Sequence, residues 1–338
     1  MTQMNAIIYT QLGPPEVLQL KEVAKPLPKE DQVLVKVQAA SVNALDYRRF
    51  SSQLEGSNIP VSVRLMDGVF LKAVNTVLGA DIAGRVEAVG AAVKQFQPGD
   101  EVFGVAAGSR GGFAEFACAA ENNLAPKPAK LSFEAAAAVP VAALTALQGL
   151  RDKGRLQPGQ KVLVNGASGG VGTFAVQVAK SFGTEVTAVC STRNLEEARA
   201  LGADHLIDYT QEDFTRNGQQ YDLIFAINGY HPISHYRRAL SPGGIYVVTG
   251  GSTAQLIQGM LLGPLISLVG NKQLGFMGIA KTNQKDLVFL GELLEAGKIV
   301  PVVDRAYPLS EVAKAMRYLA EGHAQGKVVI TVEHGNEN

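Results

Sequence analysis

Residues 162–180 read Val-Leu-Val-Asn-Gly-Ala-Ser-Gly-Gly-Val-Gly-Thr-Phe-Ala-Val-Gln-Val-Ala-Lys, an apolar strand that runs through a glycine-rich turn straight into an amphipathic helix. Few chain geometries accommodate that order. Gly166, Gly169 and Gly172 recur at every third position. The spacing suits a tight reversal, a bare backbone open to a pyrophosphate, and close packing of helix on strand. The free N–H groups at the helix start then face the phosphates. Val171, Ala175, Val178, Ala179 and Phe182 share one helical face, so the helix is expected to pack on a sheet. Ser168, Gly169, Gly170, Val171 and Gly172 are therefore the candidate lining for the pyrophosphate of a dinucleotide.

The dinucleotide is chosen about 20 residues further on, where an acidic side chain would hold an unphosphorylated ribose. That acid is missing. The second strand, Val186 to Cys190, runs into Ser191, Thr192, Arg193 and Asn194, and Glu185 lies at its far end. Hydroxyls and a forked guanidinium suit a 2′-phosphate, which favours NADPH. Ser191, Arg193 and Tyr209, the last of these closing the third strand region, are the candidate surroundings of the adenosine phosphate; Arg193 also reads as a solvated charge beside a helix cap.

Length and composition set the remaining bounds. A chain of 338 residues has room for two domains, each with its own core. Thirty-one basic residues balance thirty-one acidic ones, leaving no field to attract nucleic acid or an anionic membrane. Cys118 and Cys190 are the only cysteines and read as small core groups, which fits a reducing, cytoplasmic setting. Ala6 to Tyr9 reads as a first strand and not as a leader. The stretch Leu256 to Val269 is broken by Gly259, Gly263 and Pro264 and is too short to span a bilayer, so it is expected to form a pair of short buried or half-buried helices.

The fold class expected is α/β. Up to about residue 125 the pattern is β-rich, with Val33, Val35 and Val37 alternating with polar neighbours, and suggests a compact antiparallel, barrel-like domain. Beyond Ala125-Pro126-Lys127-Pro128, strands near Val162, Val186, Leu206, Leu223, Ile245 and Leu274 alternate with helices and predict a doubly wound parallel sheet. The closing segment, with a helix from Leu309 to Leu319 and a strand from Val328 to Val332, is assigned to the first domain. The expected boundaries are 1–128 with 301–338, and 129–300.

Four segments together resemble the medium-chain dehydrogenase/reductase superfamily, in its zinc-free quinone oxidoreductase and enone reductase branch, which includes zeta-crystallin. They are residues 165–172, the run Val139 to Leu147, the run Ser41 to Asp46, and Gly326 to Val329. The resemblance implies a GroES-like catalytic domain, an inserted Rossmann domain, a cleft between them and a homodimer. It also implies cofactor contacts for Thr145, Asn228, Gly250 and Lys327, and a pocket built from Asn43, Asp46 and Tyr47. Asn43 and Asp46 would shape the loop. Tyr47 would bond the substrate oxygen or relay a proton to the α-carbon, unless it only fills space.

The superfamily's alcohol dehydrogenases hold zinc with cysteine, a histidine–glutamate pair and a further cysteine or acid. None is present here: the corresponding strand reads Gly79-Ala80-Asp81-Ile82-Ala83-Gly84, and Asn43 has no cysteine near it. His231 and His235 are four apart, but Pro232 places His231 at a helix start and the local sequence offers no third ligand, so no metal site is expected. Without a Lewis acid, plain ketones become hard substrates, while α,β-unsaturated carbonyls and quinones spread the incoming charge onto oxygen. A small hydrophobic carbonyl or quinone is thus the expected substrate. Reduction of simple aldehydes, or nucleotide binding with little turnover, are the competing readings. Arg48 and Arg64 read as surface charges, and the apolar insertion between Phe50 and Leu78 as a substrate wall, a flap or a dimer contact.

Overall fold

The strand Gln32–Ser41 organises the first part of the molecule because it is apolar on both faces. Val33, Val35 and Val37 belong to one core with Ile82, Val102, Phe113 and Met316, while Leu34 faces a second with Met4, Ala6 and Phe116. Such a strand must be covered on both sides, and it pairs antiparallel with Asp81–Val89, Phe116–Ala120 and Lys327–Thr331. Asp81–Val89 continues to Glu101–Val105 and Leu124–Pro126, and Val303–Pro308 adds in parallel to the last strand. A separate hairpin joins Gln3–Tyr9 to Leu18–Ala24. The computed structural model describes residues 2–50, 76–268 and 271–334. The insertion expected to form a substrate wall, with Arg64, lies outside the described residues between positions 51 and 75.

The chain divides into two interleaved units. One comprises Met1–Val141, Thr282–Glu295 and Pro301–Asn338; the other comprises Ala142–Lys281 and Ala296–Val300. The second unit is a six-stranded sheet in which every pairing is parallel. Its strands run in the order His205–Asp208, Glu185–Cys190, Lys161–Asn165, Tyr221–Ala226, Leu240–Val248, Gln273–Phe276. All six expected strands are present. The order reverses beside Lys161–Asn165, and a doubly wound sheet leaves its ligand crevice at the carboxyl ends of the strands at that switch point.

The segment Thr253–Leu268 is helical throughout, with a wide turn at Gln258–Leu262, and is buried unevenly: Leu256 and Ile266 are half-buried against the core of the sheet, while Leu261, Leu262, Leu265 and Leu268 are exposed. Gly259 and Gly263 lie buried on its inward side. A Cβ on Gly259 would lie 2.4 Å from Val248, and one on Gly263 2.6 Å from the Leu274 carbonyl, so the backbone itself packs on the sheet and the leucines point away. Among the described residues no helix is long and apolar enough to cross a membrane.

Candidate active site

In the first unit, strand register places three polar side chains on one spot. Ser41 ends its strand opposite Asp81 on one side and Val329 on the other, and the Val42 N–H donates to the Val328 carbonyl. Lys327, two residues before Val329, is thereby brought against Val42 and Asn43. Its ammonium donates to Asn43 Oδ1 at 2.7 Å and to the Val42 carbonyl at 3.1 Å, and lies 3.4 Å from Asp81 Oδ2. Asp81 Oδ2 also accepts from Ser41 Oγ at 2.6 Å and Asn43 Nδ2 at 2.9 Å, and Oδ1 from the Val141 N–H at 2.9 Å. Asp81 is 0% exposed and Lys327 4%. A buried pair of this kind survives because hydrogen bonds surround both charges.

Asn43 opens the short helix Ala44–Phe50, which carries the remaining candidates. Asp46 caps its start, accepting the Asn43 N–H on Oδ2 at 2.9 Å; Oδ1 is buried without a hydrogen-bond partner among the described residues. Burial pushes the Asp46 carboxyl up to about 7, against the pull of Arg49 and with the push of Asp81. Tyr47 is half-buried, its ring edge-on to Phe50 at 5.4 Å. Arg48 is exposed, whereas Arg49 is buried and donates to the Ser109 carbonyl. Asn43 and Lys327 are thus brought together with two residues that the sequence reading passed over, Ser41 and Asp81, while Asp46 and Tyr47 follow Asn43 on the same short helix, the Tyr47 ring against Phe50. The signal was a lone acid inside an apolar strand run.

The raised Asp46 value has a consequence for stability. A carboxyl that ionises at about 7 when folded, against 3.8 ordinarily, favours the fold while protonated; that contribution is complete below about pH 4 and is lost as pH rises through 7. Asp46→Asn keeps the neutral shape. The melting temperature of this variant relative to the parent is expected to rise from about pH 4 to pH 7 and level off above, and a gap independent of pH would contradict the assignment.

In the second unit the three glycines of the turn differ in what surrounds them. Gly166 has φ +91°, which favours glycine, and its missing Cβ would meet Asn228 at 2.8 Å. At Gly172 a Cβ would lie 2.1 Å from the Gly166 carbonyl, so helix and turn touch through it. Gly169 is unlike both. Its φ of −81° and ψ of 174° are open to any residue, and a Cβ there meets only the Gly166 carbonyl, at 3.9 Å. Nothing in the protein requires a glycine at 169.

The helix Gly170–Ser181 begins at this turn, and Gly250 packs on Ile227, where a Cβ would strike the Ile227 carbonyl at 2.2 Å. Gly166, Asn228 and Gly250 therefore crowd the carboxyl ends of three adjacent strands. Asn165 donates to the buried Tyr236 hydroxyl at 3.1 Å, and burial pushes Tyr236 up to about 12, so this phenol stays a neutral anchor. Ser191, Arg193 and Tyr209 follow the next two strand ends. Ser191 Oγ accepts from Asn194 Nδ2 at 3.1 Å, the Tyr209 N–H donates to the Cys190 carbonyl at 3.1 Å, and Tyr209 is 63% exposed. Thr145 is half-buried on the helix Pro140–Leu147. Cys190 is buried and Cys118 half-buried, both free thiols pushed up by burial.

Residues 29–129 match the alcohol dehydrogenase GroES-like domain, and residues 201–330 a zinc-binding dehydrogenase domain. The chain is 36% identical to 2-methylene-furan-3-one reductase of Solanum lycopersicum, over 97% of its own length and 79% of that protein. The chain belongs to the medium-chain dehydrogenase/reductase superfamily. Within that superfamily it is also 34% identical to an NADPH-dependent alkenal/one oxidoreductase of Arabidopsis thaliana, with the same shares covered. Its fold matches the quinone oxidoreductase of Coxiella burnetii with a TM-score of 0.83 and 30% identity, over 98% of this chain and all of the other.

The zinc-binding description of one matching domain calls for a test of the residues present. A catalytic zinc needs thiolate or imidazole donors around an open position. The described polar cluster offers an amide, a carboxylate whose oxygens already take four donors, and an ammonium that supplies the positive charge itself. The first histidine in the chain is His205, and Cys118 lies on the strand Phe116–Ala120. This cluster does not fit a zinc ion. At one other place the expectation of no third ligand is corrected: Asp213, distant in sequence, comes to lie beside His231 and His235.

Proposed function

We propose that this medium-chain reductase uses NADPH to reduce conjugated carbonyls or quinones without a catalytic metal. The single observation that carries the reading is Gly169, an unobstructed position between two glycines that the fold itself requires. Residues 168–172 and the start of the helix at Gly170 would hold the pyrophosphate, with Asn228, Gly250 and Thr145 along the cofactor. Ser191, Arg193 and Tyr209 would hold the adenosine phosphate, Arg193 through its fork of donors. When bound, the reduced nicotinamide supplies the hydride. The nucleotide-binding part is assigned to residues 129–300.

The chain's own contribution is to receive negative charge. Hydride arriving at the far end of a conjugated system leaves that charge on the carbonyl oxygen, and hydrogen-bond donors aimed there stabilise it. The Tyr47 hydroxyl is assigned this role. Lys327, held by Asn43 and Asp81, adds a fixed positive charge to the same region of its unit, and Asp46 keeps the helix start that bears Tyr47 in place. The relatives' names, a furanone reductase and an alkenal/one oxidoreductase, support this substrate class. A cytoplasmic homodimer is the form assigned to it.

The test is NADPH and NADH oxidation against a panel of enones, quinones and saturated aldehydes, with Arg193→Ala alongside. Enones or quinones are expected to turn over with NADPH and aldehydes not; the variant should lose roughly 10- to 100-fold in kcat/KM for NADPH and little for NADH. Equal use of NADH, or tight NADPH binding with no turnover across the panel, would overturn the proposal.

A further inference from the structure

The loop between His205–Asp208 and Tyr221–Ala226 carries Asp213, and the segment after Tyr221–Ala226 carries His231 and His235. Folding of the second unit brings the three together: one ligand atom from each lies within 4.8 Å of the others, and His231 Nδ1 stands 3.9 Å from Asp213 Oδ1. All three side chains are half-buried. His235 Nδ1 is shielded from solvent and has no hydrogen-bond partner among the described residues. An imidazole nitrogen in that situation costs free energy unless something binds it. Phe214 and Tyr236 wall the group, their rings edge-on to His231 at 4.9 Å and 5.7 Å.

We infer that Asp213, His231 and His235 form a binding site for a divalent transition-metal ion, of which zinc is the best match. Two imidazoles and one carboxylate are the donors a tetrahedral zinc accepts, with water in the fourth position, whereas calcium and magnesium want oxygen ligands throughout. Tetrahedral bonds of about 2.0–2.1 Å require the donor atoms to draw together by roughly 1 Å, which side-chain rotation supplies. Asp213 is already oriented, because its Oδ1 accepts from the N–H and Oγ1 of Thr215 at 2.9 Å and 2.7 Å. Its competitor is Arg216, 3.4 Å from Oδ2 and largely exposed.

The site belongs to the second unit, and the cluster of Lys327 and Asp81 to the first. Its effect is mechanical. An ion there clips the loop at 213 to the segment that runs on from Asn228, the residue against which Gly166 turns. The inference does not depend on which substrate the chain reduces.

The full chain, dialysed against a chelator, is titrated with zinc chloride by calorimetry and thermal melting, and with cobalt chloride by visible absorption. A single saturable equivalent, the d–d bands of tetrahedral cobalt, and a rise in melting temperature of about 5 °C at a hundredfold excess over Kd are expected. His231→Gln and Asp213→Asn, melting like the parent without metal, should each weaken binding about tenfold or more, and Arg216→Ala should tighten it. Failure to bind one equivalent, or binding that none of these substitutions changes, would overturn the site.

Discussion

Gly169→Val is expected to leave a folded chain that no longer holds its cofactor. The backbone at 169 is extended and open to any residue, and a Cβ there touches nothing closer than 3.9 Å, so the cost to stability is about 1 kcal/mol, from a poorer helix cap. The added side chain occupies the space assigned to the pyrophosphate. NADPH affinity should fall about 100-fold or more, equivalent to about 2.7 kcal/mol or more. Gly172→Ala gives the opposite pattern, because its Cβ would sit 2.1 Å from the Gly166 carbonyl and the helix would have to leave the turn. That variant should lose stability of the second unit by about 3 kcal/mol or more before binding is even at issue. Fluorescence titration with NADPH beside thermal melting separates the two. Tight binding by Gly169→Val would remove the cradle as the nucleotide site.

The second large effect is at Lys327. Lys327→Met removes a 4% exposed ammonium and leaves Asp81, fully buried, with an uncompensated charge. Breaking a buried pair from one side costs about 3–5 kcal/mol, far more than the pair itself contributes to stability. Ser41, Asn43 and the Val141 N–H still bond Asp81, which places the expected loss at the lower end of that range. Adding Asp81→Asn to the methionine variant should recover most of the loss by removing the stranded charge. Chemical denaturation of the single and double variants reads this directly. A double variant no more stable than Lys327→Met would show that packing, and not charge, sets the effect.

Local pattern made much of this molecule legible. Six strands and their order of appearance follow from apolar runs alternating with helices, and the cradle from glycine spacing, because both are encoded within windows of a few residues. Pairings between distant segments are not encoded that way. Asp81 stands in the sequence as a lone acid in an apolar run, where a histidine pair is missing; its role emerges when strand register sets Ser41 and Lys327 beside it. Asp213 meets His231 across a strand crossover, which periodicity cannot report.

The pairing of Lys327–Thr331 with Gln32–Ser41 has a consequence in time. Lys327 follows Asp81 by 246 residues, so on a ribosome adding 5–20 residues per second the acid waits about 12–50 s for its counter-ion. All six strands of the parallel sheet emerge within that interval. The parallel sheet of the second unit can therefore form early, while the buried ion pair of the other unit is completed only once Lys327–Thr331 has emerged.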